Sequence, residues 1–126
     1  MGFYSSKITI RKSDKLFSEY IRKRDGRCTY AVRCLPGRPW DLKELQCSHY
    51  HGRRKESVRF DPRNADAACA ACHQYVHDNP SWLDAFKRVQ LGQAQFDALL
   101  IAANTPGKRD DVMDALYCKG LLKSLA

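Results

Sequence analysis

Residues 47 to 77, CSHYHGRRKESVRFDPRNADAACAACHQYVH, hold all four histidines of the chain and three of its six cysteines. Cys69 and Cys72 form a Cys-x-x-Cys pair, the spacing at which two thiolates grip one tetrahedral zinc ion. The favoured second pair is Cys28 and Cys34, with five residues between them; Cys47 is the rival for either place. A small, loop-rich centre gains folding energy from a closed metal site of this kind. The competing view of the CxxC is two small side chains in an alanine-rich helix. A redox role would want a βαβ context around it, which the sequence does not offer. Cys118 stands apart in the last helical segment and reads as a buried core thiol.

His73 and His77 are four residues apart, so on a helix they share one face and can hold one metal ion. His49 and His51 alternate on an expected strand and share its face. A histidine on a strand opposite a metal-bearing helix is suited to act as a general base, drawing a proton from water while the metal stabilises charge on a phosphate. Asn64 sits where a loop enters the alanine-rich segment. Its amide can cap a helix there, or pin the histidine strand through backbone hydrogen bonds.

The charge is uneven. Residues 1–63 carry 16 Lys/Arg against 7 Asp/Glu, a net +9, and residues 64–126 carry 6 against 7, a net −1, together the +8 of the whole chain. A basic half of this kind suits a polyanion such as DNA or RNA, and equally a solvated surface. No apolar run approaches the length of a membrane span. The opening MGFYSSKITIRKSDK has no signal-peptide core. The expected location is the cytoplasm, where thiols stay reduced.

These residues need elements to hold them. The chain reads as a single α+β domain over 1–126: an arm or short strand over 1–13, a helix and metal-stabilised core over 14–79, and a helical extension over 80–126. Ser13 is a candidate N-cap for a helix over about 14–25, with Leu16, Phe17, Tyr20, Ile21 and Arg24 on one face and Asp25-Gly26 as its stop. Residues 28–44 read as a knuckle and loop, with Trp40 plugging the core beside it. LQCSHY is an expected strand, and RRKESVRF either its partner or a long loop. NADAACAACHQYVH, rich in alanine, reads as one helix. Asn79-Pro80 starts another that Gly92 stops. A further helix covers about 93–103, and a last one about 108–125.

The order His49, Asn64, His73, at intervals of 15 and 24 residues with His77 at 28, resembles the signature of the HNH, or ββα-metal, nucleases, as spaced in the nuclease domains of the DNase colicins. The CxxC leading into His73, with cysteines upstream of the strand, is similar to the zinc-bearing branch of that superfamily. A narrower likeness spans about 14–125. DKLFSEYIRKRDGRC, CSHYHGRR, VRFDPRNADAACAAC and the WLDAF…LGQAQFDALL tail resemble phage NinG/Rap recombination proteins.

The resemblance implies a small HNH core with a Cys28, Cys34, Cys69, Cys72 zinc site, one N-terminal helix and about three C-terminal ones. It implies a metal-dependent DNA endonuclease that nicks or cuts branched, recombination-type DNA, located in the host cytoplasm if the chain is phage-encoded. His49 would be the general base and Asn64 its positioning group. His73 and His77 would hold a catalytic Mg²⁺ or Mn²⁺, with Ni²⁺ or Zn²⁺ as alternatives. Arg53, Arg54, Arg59 and Arg63 would contact phosphates, and a homodimer is an option for cutting both strands. One departure stands out: Ser48 occupies the position where most HNH enzymes place an Asp or His metal ligand. A degenerate, non-catalytic DNA-binding zinc module, or a phage protein that binds RNA or a protein partner, are the rival expectations.

Overall fold

Leu45–His49 (β1) and Ala65–Cys69 (β2) pair as a two-stranded antiparallel ribbon at the centre of the computed structural model, which describes residues 8–126. Leu45 lies opposite Cys69, Cys47 opposite Ala67, and His49 opposite Ala65. Side chains alternate, so Cys47 and His49 share one face and Gln46 and Ser48 the other. The alanines of β2 are fully buried and small, which lets helices close on both faces.

Four helices surround the ribbon: α1 (Lys12–Asp25), α2 (Ala70–Asp78), α3 (Pro80–Ala103) and α4 (Asp111–Lys123). The α+β class is as the sequence implies. The described residues before α1, 8–11, form no strand, and the rest of the expected arm, 1–7, lies outside the described residues. Ser13 is not the cap of α1. The helix begins two residues earlier, at Lys12, where the Asp14 carboxylate turns back to accept the Arg11 N–H at 2.8 Å, and Ser13 is buried in the first turn. Gly26 ends α1 in the left-handed conformation, its N–H bonded to Arg22 O at 2.8 Å.

The single helix expected over 64–77 is two elements. Alanine favours helix by intrinsic propensity, but the Ala67 backbone is claimed from outside β1 as well. Its N–H donates to Asp25 Oδ2 at 2.8 Å and its carbonyl accepts from Thr29 N–H at 2.9 Å. A strand satisfied on both edges outweighs propensity. Helix starts only at Ala70, with Cys69 as cap. Residues 53–60 supply no strand either. The stretch from 50 to 64 is a loop with short helical turns at Glu56–Val58 and Pro62–Asn64.

Pro80 occupies the first position of α3 as expected, but the Asn79 side chain serves the preceding helix, donating to Tyr75 O at 2.9 Å. Gly92 breaks α3 with φ 78° and ψ 160°, a conformation open almost only to glycine, so the two helices read over 80–103 are the two sides of this break. Asp110 caps α4 by accepting the Met113 N–H at 3.0 Å, which fixes its start at 111 and leaves 108–110 in the loop. The loop before it approaches the 50–64 segment so closely that a Cβ on Gly107 would stand 2.5 Å from Ser57 N.

In layers, α1 covers the Cys47/His49 face of the ribbon through Phe17, and α4 packs on α1 from outside through Cys118, Leu121 and Leu122. On the Gln46/Ser48 face, Tyr30, Trp82 and Phe86 form a cluster with ring centroids 5.0–5.7 Å apart, and α2 lies alongside. Trp40 packs partly buried against this core with Arg38 stacked on its ring at 3.6 Å. Cys118 is the buried thiol the sequence implies. Among the described residues no helix is long and apolar enough to cross a membrane.

Candidate functional site

Two constellations sit at opposite ends of the ribbon and α2. At the Leu45–Cys69 end, the sulfurs of Cys28, Cys34, Cys69 and Cys72 all lie within 4.8 Å of one another. A tetrahedral zinc with Zn–S bonds of about 2.3 Å requires sulfurs about 3.8 Å apart, and Cys34 and Cys72 stand at 3.8 Å. Backbone donors aim at the cluster. Arg33 N–H reaches Cys72 Sγ at 3.2 Å and Cys72 N–H reaches Cys69 Sγ at 3.5 Å. Ala31, in the turn between Cys28 and Cys34, takes a left-handed φ of 49°. Burial alone would raise the Cys28 thiol, but hydrogen bonds from the Cys69, Ala31 and Tyr30 backbone and from Cys72 bring it down to about 7. The set therefore fits a structural metal such as zinc. Cys47 is not part of it. It is buried on β1, its thiol pushed up to about 12 by desolvation, with Sγ 4.0 Å from His49 Nδ1.

At the other end, a 230 Å³ cavity is lined by Ser48, His49, Tyr50, His73, His77 and Leu83 among others. Three of the four histidines thus border one space. Phe17 packs on the His49 ring at 5.8 Å, and His49 Nε2 is 3.1 Å from Arg59 O. A carbonyl only accepts, so Nε2 carries the proton and Nδ1 is unprotonated, with the Cys47 thiol 4.0 Å away. Burial, followed by the nearby Arg53 charge, lowers the His49 pKa to about 4, so the imidazole is neutral at pH 7. His73 Nδ1 lies 2.6 Å from Gln46 Oε1, which fixes its proton there and leaves Nε2 free as a ligand atom. Burial, then Arg53 and His77, hold His73 below the ordinary imidazole range.

His73 and His77, one turn apart on α2, both line this cavity. No third protein ligand joins them: among the described residues the four cysteines are the only His, Cys, Asp or Glu group of three or more whose ligand atoms converge within 4.8 Å. Ser48 does not fill the gap, since it is 1% exposed and its Oγ accepts from Tyr30 OH at 2.9 Å. His51 does not share a face with His49, because β1 ends at His49 and His51 lies in the following loop.

Asn64 is fully buried and caps no helix. It clamps the loop after β1: Oδ1 accepts His51 N–H at 2.8 Å, Nδ2 donates to His51 O at 2.8 Å and Val58 O at 3.2 Å, and its own carbonyl accepts Tyr50 N–H at 2.8 Å. Of the two roles open to it in the sequence, it takes the second.

The four arginines diverge. Arg53 Nε is 3.5 Å from Asp14 Oδ1 without hydrogen-bond alignment; its charge acts on both His49 and His73, but its side chain lines a separate pocket with Asp14, Lys15 and Arg22 rather than the histidine cavity. Arg54 is exposed. Arg63 is held bidentately by Asp61 and bonds Gln95 at 3.0 Å, with 34% of its side chain exposed. Arg59, expected among the phosphate contacts, is 4% exposed and locked to Asp14 at 2.6 and 2.9 Å, so it is a structural cation. Its role reaches the site through its carbonyl, the acceptor for His49.

Three features of the site are not among those singled out from the sequence. Gln46 has a detectable signal: on a strand it must share the Ser48 face and so meet the helix bearing His73. The Asp14–Arg59 pair, 45 residues apart, has none. Nor does Lys87, which is 1% exposed with Nζ 2.7 Å from Asp66 Oδ2 and from Arg63 O, tying α3 to β2 behind the cavity. Comparison of the chain with family models, curated proteins and solved structures finds no match.

Proposed function

We propose that this protein is a metal-dependent endonuclease of the HNH, or ββα-metal, type, acting on DNA, and that the cavity shared by His49, His73 and His77 is its active site. The observation that carries the reading is that cavity, bordered by a neutral, tautomer-fixed imidazole on the ribbon and by two imidazoles on one helix. When bound there, Mg²⁺, Mn²⁺, Ni²⁺ or Zn²⁺ would polarise a phosphate oxygen and stabilise charge on the leaving oxygen. His49 Nδ1 takes the proton of the attacking water as the water oxygen bonds to phosphorus and the P–O3′ bond breaks. The Arg59 carbonyl holds the opposite nitrogen and keeps the accepting one unprotonated. The negative charge of a bound phosphate raises the His49 pKa from its depressed value toward the range where proton transfer is efficient. Asn64 fixes the loop after β1, and Arg53, Arg54 and Arg63 would contact phosphates of the DNA flanking the scissile bond. Nothing marks a base-reading element, so recognition is by backbone shape and charge. The ring of four cysteines holds a structural zinc that fixes the angle between ribbon and α2.

Ser48 favours a second reading, a zinc-stabilised DNA-binding module without turnover, because it removes one metal ligand from the cavity. Nicking of supercoiled plasmid with Mg²⁺, Mn²⁺ and Ni²⁺ in turn separates the two. The nuclease reading expects nicking with at least one ion, abolished by His49→Ala with zinc content and DNA binding retained. Binding without nicking under all three ions selects the module, and an active His49→Ala protein removes His49 from the chemistry.

A further inference from the structure

One side of α4 is committed to the fold through Cys118, Leu121 and Leu122. The other side leaves Val112, Met113, Leu116 and Tyr117 exposed by 71%, 59%, 57% and 49%. At positions i, i+1, i+4 and i+5 these form one continuous stripe, and its next position is Gly120, beside which a Cβ would meet nothing within 4 Å. A partner backbone can therefore come close at that end. Val112 and Leu116 also border a groove of 440 Å³, lined besides by Ala115, Arg11, Lys12, Lys119 and the Arg109–Asp111 ion pair. Ridge and groove are thus neighbours on one surface, the arrangement an isologous contact needs.

The charges select the occupant. The first turn of α4 and its cap carry Asp110, Asp111 and Asp114, and its end carries Lys119 and Lys123. A helix acidic at its start and basic at its end is complementary to itself when antiparallel and repels itself when parallel, and opposed macrodipoles act in the same direction. We propose that α4 is a self-association surface, on which a second copy of this chain packs antiparallel about a two-fold axis near Leu116, each copy's ridge seated in the other's groove.

The pairing is independent of the nuclease reading. The ribbon and α1 lie between the stripe and the histidine cavity, so the two cavities of a dimer face outward and each meets its own phosphodiester. A single helix-pair contact belongs with the small interfaces, below about 1,200 Å² in total, so we expect a weak, concentration-dependent dimer.

Sedimentation velocity of the full chain from low to high micromolar concentration tests this. The expected result is a monomer–dimer equilibrium that weakens by at least about tenfold in Leu116→Glu, and separately in Val112→Glu, which is the more exposed position. Lys119→Glu combined with Lys123→Glu weakens it as well, and so does added salt. Circular dichroism and bound zinc remain those of wild type in each variant, since all four side chains lie on the surface. A wild-type chain monomeric throughout, or a dimer indifferent to both apolar-to-Glu changes, overturns the proposal.

Discussion

The two ends of the ribbon and α2 make opposite use of the same scaffold. At the Cys69 end, four sulfurs converge, backbone N–H groups point at them, and the loop supplying Cys28 and Cys34 closes the site from outside. At the His49 end, two imidazoles on a helix and one on a strand border an open cavity, and no third ligand completes a cage. A closed four-ligand set is the mark of a metal that holds structure, and an incomplete set with open positions is the mark of one that admits water or substrate. Cys72 of the closed set and His73 of the open one are adjacent in α2, with His77 one turn further on, so the rigid end sets the geometry of the open one.

The largest effect that can break this comparison is at the closed end. Cys69→Ser or Cys72→Ser removes a ligand from a site whose binding energy is folding energy. We expect loss of the bound zinc and of the cooperative thermal transition, read by metal analysis and circular dichroism. Cys47→Ser, equally buried but outside the cluster, should keep a full equivalent of zinc. Equal metal loss in both would mean that the closed set is wrongly drawn.

Next in size is the clamp on the loop that follows β1 at the open end. Asn64→Ala deletes three side-chain hydrogen bonds to the His51 and Val58 backbone and leaves buried polar groups of that loop unpaired. A loss of about 3 kcal/mol in urea denaturation is expected, with zinc retained and nicking lowered because the loop after His49 is released. An unchanged denaturation midpoint would show the clamp to be idle.

The open end should reveal itself through pH. His49 titrates at about 4 in the fold against 6.5 for the unperturbed imidazole. Between these values the unfolded chain binds a proton that the folded chain refuses, so stability rises with pH across the window and is lost as pH falls from 6.5 toward 4. The loss attributable to this group is about 3 kcal/mol. Other groups titrate in the same range, so the measurement is a difference. Denaturation at neutral and acidic pH should show a shallower acid loss in His49→Gln than in wild type, and parallel curves would place His49 in water.

The sequence spoke more clearly at the closed end. Cys-x-x-Cys spacing carries its own geometry, and only the choice among Cys28, Cys34 and Cys47 needed the fold. The histidine end was legible as a set of residues, but the elements beneath them were misjudged where tertiary contacts override propensity. ADAAC looks like helix because alanine favours helix, and only the distant claims of Asp25 and Thr29 on the Ala67 backbone make it strand. Arg59 illustrates the same limit. In a run of arginines it is indistinguishable from Arg53 and Arg54, and its burial follows from Asp14, a residue of another element. Long-range pairs leave no periodicity to read. Gly26 and Gly92, by contrast, act on their own backbone, and the stops they impose fall where the sequence places them.

The smallest expected effect is the sharpest probe of whether the open end holds an ion as proposed. Gln46 sits on β1 with its side chain toward α2, and its Oε1 receives the Nδ1 proton of His73 at 2.6 Å. That bond selects the tautomer with a bare Nε2, and it orients the ring. Outer partners of this kind contribute about 10- to 100-fold to metal affinity. Gln46→Leu keeps the approximate volume of the side chain but offers no acceptor, so His73 is free to carry its proton on either nitrogen. Metal titration of the zinc-loaded protein with Mn²⁺, read by calorimetry, should show an affinity at the low end of that range, about tenfold weaker, with the four-cysteine zinc untouched. Gln46→Glu, which retains an acceptor and adds a negative charge, should restore or exceed the wild-type affinity. If both variants bind Mn²⁺ like wild type, His73 does not hold the ion through Nε2, and the two ends of α2 differ in shape without differing in chemistry.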